Sequence, residues 1–244
     1  MIDCSLDYSQ NFFKCVKLPN FFNIITIGKK LNMVDYSLPF ENYRMAEKNL
    51  LSSMTGITDK NIIFLNQVHG DEIVIIDNYP NKFLYNHGNA DALITNLKNI
   101  CLTIRTADCL PVMLFDCKNN VIAAIHSGRK STFLDIAGKT VSKMISHYNC
   151  DVKNISAVIL PSITVDSYEV SKDIADVFPS DCVVQKNSFF LDLQKCVIKS
   201  LEKIGIDSEN IYNTNKCTFL NNDDLFSHRK GDAGRNLNCV YISN

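Results

Sequence analysis

Short runs of β-branched and other apolar residues recur along most of this 244-residue chain, and they constrain its fold more than any other feature. Each run has the length of a strand, and the early runs follow one another through short loops without a helical segment between them. This order favours hairpins over the strand–helix alternation of a doubly wound parallel sheet. The eight predicted strands are residues 61–66, 72–77, 91–96, 100–106, 112–116, 121–126, 155–160 and 239–242.

Four segments have the apolar spacing of amphipathic helices, namely residues 41–54, 131–148, 171–178 and 192–205. Gly56, Pro179 and Gly205 act as stop signals for three of them, and Asp192 is a candidate N-cap for the last. The stripe that we expect to face the core in the first helix consists of Tyr43, Ala46, Leu50, Leu51 and Met54.

Strands outnumber helices in this prediction, which places the chain in the α+β class. We expect a layered sandwich in which packed mixed β-sheets with hairpins lie inside and the helices cover the outside. No internal repeat, low-complexity tract or linker rich in Pro, Gly or Ser divides the sequence, so a single domain over residues 1–244 is expected. Residues 78–89, which include Pro80 and Gly88, are predicted to form an exposed loop.

Charge and cysteine content restrict the class of function. The chain has 25 basic and 26 acidic residues, a balance that argues against nucleic acid or a membrane surface as its partner. No apolar run approaches the ~18 residues of a membrane span. The first residues lack the basic and apolar regions of a signal peptide, so none is expected. The 10 cysteines, with no Cys-x-x-Cys pair, are therefore interpreted as free thiols of a cytoplasmic protein.

A predicted hairpin brings together two candidate site residues. The fifth and sixth predicted strands flank the segment Cys117-Lys118-Asn119-Asn120, which has ordinary turn chemistry. A turn centred on this segment pairs Pro111 with His126. Cys109 lies two residues before Pro111 and roughly 7 Å away along the strand direction. The Cys109 thiol and the His126 imidazole are therefore expected to converge at the end of the hairpin.

His69 is a third candidate, because it stands beside Gly70 in the connection between two predicted strands. Two imidazoles and one thiolate are a plausible ligand set for zinc, with the fourth position open for water or substrate. The same set suits a Cys nucleophile with a His base. On the residues alone both interpretations stay open, as does a third in which the three side chains are unrelated.

Six short motifs occur in order from about Ile24 to the C-terminus: Gln67-Val68-His69-Gly70, Ala90-Asp91-Ala92-Leu93-Ile94-Thr95, Thr106-Ala107-Asp108-Cys109-Leu110-Pro111, His126-Ser127-Gly128, Tyr168-Glu169-Val170 and Phe226-Ser227-His228-Arg229. Together they resemble the laccase-domain family, whose members were first named multicopper polyphenol oxidoreductases and later recognised as purine nucleoside phosphorylases. The resemblance aligns His69, Cys109 and His126 with the metal ligands of that family.

This resemblance implies phosphorolysis of adenosine, inosine, guanosine and methylthioadenosine, together with adenosine deamination. It implies purine nucleosides and phosphate as partners, and Zn²⁺ as cofactor, with Cu²⁺ as the alternative ion. His69, Cys109 and His126 would be both the metal ligands and the catalytic residues. The residues expected to bind substrate are Arg44, Lys130, His228 and Arg229.

The histidine count argues against the older name of the family. A four-copper oxidase needs many imidazoles, usually as His-x-His pairs, whereas this chain has 5 His and no such pair. We interpret His87 and His147 as solvated side chains in a loop and at a helix end. Arg105 lies in a predicted strand before Cys109 and is interpreted as a structural ion-pair partner rather than a catalytic residue. Asp108 either orients a ligand or caps the turn before Cys109.

The chain departs from the family pattern at three segments, of which Ile24 to Asn42 is compressed and lacks the glycine-rich segment common in the family. Relatives typically have His-Ala-Gly-Trp-Arg-Gly where this chain has His126-Ser127-Gly128-Arg129-Lys130-Ser131, and Leu160-Pro161 stands in place of Gly-Pro. The metal triad is retained, so the leading hypothesis is a zinc-dependent purine nucleoside phosphorylase. The alternatives are a metal-free Cys-His hydrolase and a metal- or nucleoside-binding protein that has lost turnover.

Overall fold

A computed structural model describes residues 13–14, 18 and 22–244. The helices of this part are α1 (Phe40–Thr55), α2 (Arg129–Phe133), α3 (Ile136–Tyr148), α4 (Lys172–Ala175) and α5 (Leu193–Ile204). The strands are β1 (Phe13–Lys14), β2 (Phe22–Ile27), β3 (Ile62–Phe64), β4 (Ile73–Ile75), β5 (Ala92–Thr95), β6 (Cys101–Thr106), β7 (Leu110–Asp116), β8 (Val121–Ser127), β9 (Ile155–Ile159), β10 (Glu169–Val170), β11 (Val183–Gln185), β12 (Phe189–Leu191), β13 (Ile211–Asn213) and β14 (Asn236–Ile242).

The strands form three sheets. A five-stranded sheet has the order β1-β2-β14-β6-β3, and a six-stranded sheet has the order β13-β9-β7-β8-β5-β4. Both are mixed, because β3 runs parallel to β6 while β4 and β13 run parallel to β5 and β9. The third sheet, β10-β12-β11, is small and antiparallel.

The two large sheets pack face to face and enclose the main core. Ile24 and Val240 from the five-stranded sheet meet Phe115 and Ile122 from the six-stranded sheet in one apolar cluster. A second cluster packs α3 and α5 on the outer face of the six-stranded sheet, and a third packs Leu51 of α1 on the outer face of the other sheet. The predicted α+β sandwich of mixed sheets with external helices is therefore confirmed. The expectation of a single domain over residues 1–244 stays a prediction.

The predicted hairpin has the expected register. β7 and β8 pair antiparallel, with Pro111 opposite His126. The turn is stabilised by Asp116, whose Oδ1 accepts hydrogen bonds from the backbone N–H of Lys118 at 2.8 Å and of Asn119 at 3.1 Å. Because every residue of both strands is buried, a slip of this register would be strongly disfavoured.

The single helix predicted for residues 131–148 is wrong. The structure has two helices, α2 and α3, divided at Asp135, which adopts the left-handed conformation with φ 60°. The Asp135 side chain accepts a hydrogen bond from the backbone N–H of Gly138, so it caps α3. The apolar spacing continues across this break and concealed it, although Phe133 before the break is 57% exposed and Ile136 after it is fully buried.

The inward face of α1 also differs from the predicted apolar stripe. Leu51 is fully buried, but the other buried residues of this helix are Arg44, Glu47 and Lys48. Apolar spacing cannot predict such a face, because the buried charges of these side chains depend on polar partners. Arg44 pairs with Glu47, and Lys48 Nζ donates to the carbonyl oxygen of Asp59 at 3.1 Å.

Residues 78–89 contain no helix or strand, as predicted, but His87 is not a solvated side chain. Its backbone N–H donates to the Phe64 carbonyl at 2.8 Å, which draws the residue inward. Both ring nitrogens are buried and lack a hydrogen-bond partner among the residues that the structure describes. Burial, assisted by the nearby Lys48 charge, lowers the pKa of His87 to about 4.

The eight predicted strands are all present, with ends shifted by up to three residues. The strands β1, β2 and β10 to β13 were not predicted from the sequence. Most of these have two or three residues, which is too few to show alternation. The predicted helix at residues 171–178 is reduced to α4. In the part of the chain described, no helix has the length and apolar character needed to span a membrane.

The cap at Asp135 leads to a stability prediction. Asp135→Ala removes the cap and places a residue without left-handed preference at φ 60°. We expect it to lower the free energy of unfolding by about 1–2 kcal/mol. Asp135→Asn keeps a side-chain acceptor and tolerates this conformation, so it should cost less than half as much. Urea unfolding of both variants tests this, and equal costs for Ala and Asn would contradict it.

Candidate metal centre

His69, Cys109 and His126 converge on one point. His69 lies between β3 and β4, Cys109 on the turn before β7, and His126 in β8. One ligand atom from each residue lies within 4.8 Å of the other two, and Cys109 Sγ is 3.8 Å from His69 Nε2. The two imidazole rings stand edge to face with centroids 4.7 Å apart. The structure therefore brings together the three residues that the sequence analysis selected.

Asp91, directly before β5, holds both histidines. Its Oδ1 lies 2.7 Å from His126 Nδ1, and its carboxylate accepts hydrogen bonds from the backbone N–H of Val68 (3.2 Å), His69 (3.0 Å) and Gly70 (2.7 Å). Although burial opposes ionisation, these bonds hold the pKa of Asp91 below its usual value. An ionised Asp91 accepts a hydrogen bond from Nδ1–H of His126, which leaves Nε2 of that ring available to a metal ion.

Gln67 fixes the other side of the His69 loop. Its side-chain amide donates to the Arg105 carbonyl at 2.8 Å and accepts from the Arg105 N–H at 2.9 Å. This pairing joins the loop to β6 and leads into His69, whose φ is 59°. Non-glycine residues occupy this conformation only when their surroundings enforce it. Gln67 and Asp91 together provide that enforcement.

Asp108 fixes the turn that carries Cys109. The residue has φ 82°, and its backbone carbonyl accepts from Ile163 N–H at 2.9 Å. Its carboxylate accepts from Thr218 Oγ1 at 2.6 Å and from the backbone N–H of Arg229 at 2.8 Å. Of the two roles considered for Asp108, these contacts support fixing the turn: its carboxylate is engaged with the two C-terminal loops.

Cys109 and His126 form a coupled pair. Burial alone raises the pKa of the Cys109 thiol, but the charge and hydrogen bond of His126 lower it to about 6. Burial alone lowers the pKa of His126, but the Cys109 thiolate and the Asp91 hydrogen bond raise it to about 9. Each group therefore favours the charged form of the other, which shifts the pKa of Cys109 downward and that of His126 upward.

Gly128 leaves the space that the three side chains occupy. A Cβ atom at this position would lie 2.9 Å from His69 Cδ2 and 3.2 Å from Cys109 Sγ. The backbone at Gly128 has φ −69° and ψ 171°, which any residue can adopt. The requirement for glycine is therefore steric and comes from the centre itself.

The donor set fits a bound metal ion. A low-pKa thiolate and two imidazoles, one oriented by a carboxylate, are the ligands that zinc and copper select. His69 is exposed and Cys109 is half buried, so an ion has access to the site. In the part of the chain that the structure describes, no other group of three His, Cys, Asp or Glu residues has this arrangement.

A cavity of ≈ 420 Å³ adjoins the three residues. Two of the predicted substrate-binding residues, Arg44 and His228, line it. Its remaining lining residues are Phe40, Tyr43, Leu65, Asn66, Gln67, Arg105, Thr106, Ala107 and Arg235, besides His69, Cys109 and His126. The cavity is therefore rich in arginine and contains two aromatic rings.

The other two predicted substrate-binding residues lie elsewhere. Arg229 lines a second cavity of ≈ 580 Å³ with Arg129 and Tyr168, and its Nη2 donates to the Glu169 carbonyl at 2.8 Å. Lys130 is exposed on α2 and lines neither cavity. The substrate-binding roles of both residues stay predictions.

Several residues that shape the centre were not predicted. Asp91 stands in the Ala90–Thr95 motif without an assigned role, although a carboxylate between two alanines before a buried strand is an unusual signal. Gln67 and Gly128 likewise stand inside motifs without an assigned role. Glu47 left no local signal, because only the fold brings it to the two arginines that it pairs with.

The fold and the site define an α+β sandwich protein with one His–Cys–His centre at the end of a hairpin. The profile of the family described as multi-copper polyphenol oxidoreductase laccase matches residues 30–243, and the chain belongs to this family. A site for several coppers, as the family description implies, does not fit the positions of the remaining histidines. His147 pairs with Asp77 on the surface, and His87 and His228 lie outside the cluster of His69, Cys109 and His126.

Curated relatives carry a different name. A purine nucleoside phosphorylase of Clostridium acetobutylicum is 30% identical over 240 residues, which cover 96% of this chain and 95% of the relative. A purine nucleoside phosphorylase of Corynebacterium glutamicum is 28% identical over 207 residues, 81% of this chain and 80% of the relative. The likeness to both extends over most of each protein.

Solved structures show the same fold. YlmD from Geobacillus stearothermophilus superposes with a TM-score of 0.85 at 19% identity, over 99% of this chain and 100% of that protein. The hypothetical protein YfiH of Bacillus licheniformis has a TM-score of 0.80 at 21% identity, over 97% of this chain and 94% of that protein. At these identities the likeness concerns the fold.

Gly128→Ala should weaken metal binding without unfolding the protein. The added methyl group displaces His69 or Cys109, whereas the backbone is unstrained, so the loss should appear in zinc affinity rather than in the unfolding midpoint. Gly70→Ala is the matched control, because its Cβ would have only ordinary contacts, at 3.6 Å. Competition with a chromophoric chelator measures both, and equal affinities would contradict the steric role of Gly128.

Asp91→Asn should lower zinc affinity about 10–100-fold, because the neutral amide no longer fixes the Nδ1 proton of His126. The control is Asp71→Asn, which removes a charge two residues from His69 where the carboxylate contacts Lys139 on the surface. The same chelator competition is the measurement. Wild-type affinity in Asp91→Asn would show that the orientation of His126 does not depend on this carboxylate.

Proposed function

We propose that the protein is a zinc-dependent purine nucleoside phosphorylase that cleaves adenosine, inosine, guanosine or methylthioadenosine with phosphate. Adenosine deamination is a side activity in this proposal. The observation that carries it is the convergence of His69, Cys109 and His126 on the wall of a cavity that also contains Arg44 and His228. The names of the curated relatives support the phosphorolysis of purine nucleosides.

Phosphorolysis of a nucleoside needs two kinds of stabilisation. The bond between C1′ and N9 breaks as the sugar gains positive charge, the purine leaves with its electron pair, and phosphate oxygen bonds to C1′. The enzyme therefore has to hold phosphate beside the sugar and to stabilise negative charge on the leaving base. Arg44 and His228 supply cationic and proton-bearing groups in this cavity. Phe40 and Tyr43 supply aromatic faces for the base.

The centre itself supplies the remaining chemistry. A zinc ion held by His69, Cys109 and His126 would act as a Lewis acid at the cavity wall and would lower the pKa of a bound water. Asp91 keeps the Nδ1 proton on His126, and Gly128 leaves room for the three side chains. Deamination at C6 of adenine also needs an activated water, which makes this wall the site of both reactions.

One observation favours a second candidate, the metal-free Cys-His hydrolase. The sulfur of Cys109 and a ring nitrogen of His126 lie within 4.8 Å of each other, which is the juxtaposition of nucleophile and base that such an enzyme needs. The two candidates differ in their second substrate, because a hydrolase uses water and a phosphorylase uses phosphate. A protein that has lost turnover would bind the metal or the nucleoside and form no product.

A cytoplasmic location belongs to the same proposal. The eight cysteines in the part of the chain that the structure describes are free thiols, which suits a reducing compartment. The nucleosides and phosphate named above are also metabolites of the cell interior.

The experiment is incubation of the zinc-loaded protein with inosine, with and without inorganic phosphate, followed by chromatography. The proposal predicts hypoxanthine and ribose 1-phosphate in equal amounts, and neither product without phosphate. Hypoxanthine with free ribose, formed equally well without phosphate, would establish the hydrolase. Stoichiometric zinc with no product under any condition would establish a binding protein.

Cys109→Ala should abolish both zinc binding and phosphorolysis, since it removes the thiolate ligand. The matched control is Cys117→Ala, an exposed thiol in the hairpin turn, which should retain both properties. Zinc content after gel filtration and the rate of hypoxanthine release are the two measurements. Full activity of Cys109→Ala without bound zinc would contradict the proposed role of the centre.

A further inference from the structure

One carboxylate serves two guanidinium groups in the cavity wall formed by α1 and β6. Glu47 is fully buried, and its Oε2 accepts from Arg44 Nη1 at 3.2 Å while its Oε1 accepts from Arg105 Nε at 2.8 Å. Its Oε1 also accepts from the Tyr36 hydroxyl at 2.9 Å, and that hydroxyl accepts from Asn32 at 2.7 Å. Glu47 is therefore fully engaged and neutralises one of the two cations.

A third guanidinium, that of Arg235, lines the same cavity, and its hydrogen-bond partners among the described residues are backbone carbonyls. Its Nη1 donates to the backbone carbonyls of Ala233 and Gly234, each at 2.8 Å. No aspartate or glutamate is among the described residues that line the cavity. Three arginines and one glutamate leave this wall with an excess of two positive charges.

Arg44 and Arg105 are held in place, yet part of their hydrogen-bonding capacity is unused. Arg44 is only 2% exposed, and its buried Nε has no hydrogen-bond partner in the described part of the chain. Within the same part, no hydrogen bond engages the Nη groups of Arg105. Aromatic rings pack against both guanidiniums: Phe40 and Phe64 at 5.3 and 4.2 Å from Arg44, and Tyr36 and Tyr43 at 5.6 and 5.2 Å from Arg105.

Arg44 and Arg105 share the single buried carboxylate of Glu47, whereas a purely structural pair of buried cations would match each arginine with its own acid. Rigid guanidiniums with free N–H groups are instead the arrangement that recognises phosphate oxygens. Because these guanidinium groups are already ordered, binding of phosphate would cost little side-chain entropy.

We propose that Arg44, Arg105 and Arg235 form the subsite for inorganic phosphate, with the dianion neutralising the two excess charges of this wall. This inference rests on the proposed phosphorylase function and deepens it. It assigns Arg105, whose ion pair with Glu47 alone would indicate a structural residue, to direct contact with the co-substrate. It also places phosphate in the cavity that contains the His–Cys–His centre, rather than in the second cavity beside Arg129 and Arg229.

The test uses Arg105→Gln and Arg105→Lys in the zinc-loaded, full-length protein. Loss of a charged bidentate contact predicts that the KM for phosphate rises at least about tenfold in Arg105→Gln. Arg105→Lys keeps the charge but loses the planar guanidinium with its paired N–H donors. Its KM for phosphate should therefore lie between those of Arg105→Gln and the wild type. The KM for inosine should change less than twofold in both. The control is Lys199→Gln, which removes one positive charge at a surface pair with Asp181.

Two further measurements separate the possible failures. Zinc content and the unfolding midpoint show whether each variant is folded, and isothermal titration with inorganic phosphate measures binding without turnover. If the wild type binds phosphate more than tenfold tighter than Arg105→Gln, the subsite stands even if inosine is not cleaved. If the wild type cleaves inosine and Arg105→Gln retains the wild-type KM and affinity for phosphate, the subsite is wrong and the phosphorylase function stands.

Discussion

The Asp91 carboxylate is the interaction on which the rest of the site depends. It binds the imidazole of His126 from one strand and three consecutive backbone N–H groups around His69 from a separate loop. One buried charge therefore selects the tautomer of one histidine and holds the other in its left-handed conformation. Because Asp91 is itself fully buried before β5, removing its charge would leave several donors unsatisfied at once.

The sandwich explains why this arrangement is rigid. β7 and β8 are buried along their whole length between the second sheet and the helices, so the end of this hairpin is fixed. Cys109 and His126 stand at that end, and the cavity opens beside them toward the charged face of α1. The described residues contain one His–Cys–His cluster that could hold a metal ion, whereas the family description refers to several coppers. The chemistry follows from the ligands present rather than from that description.

Much of this arrangement could be predicted from the sequence, because the signals were local. The turn at residues 117–120 set the register of β7 and β8, and that register placed Cys109 near His126. The rest depended on tertiary contacts. Asp135 interrupts a continuous apolar pattern with a helix break. The buried face of α1 carries Glu47 and Lys48, which depend on polar partners. His87 is drawn inward by one backbone hydrogen bond. Periodicity cannot anticipate such contacts, since it reports burial and not partners.

Metal-edge X-ray absorption on protein purified without chelator identifies both the bound ion and its ligands. We expect one zinc ion per chain, bound by two imidazole nitrogens at about 2.0–2.1 Å and one sulfur at about 2.3 Å. The sulfur signal should be absent in Cys109→Ala. A spectrum without sulfur in the wild-type protein, or more than one tightly bound metal ion per chain, would contradict the assignment of a single His–Cys–His centre.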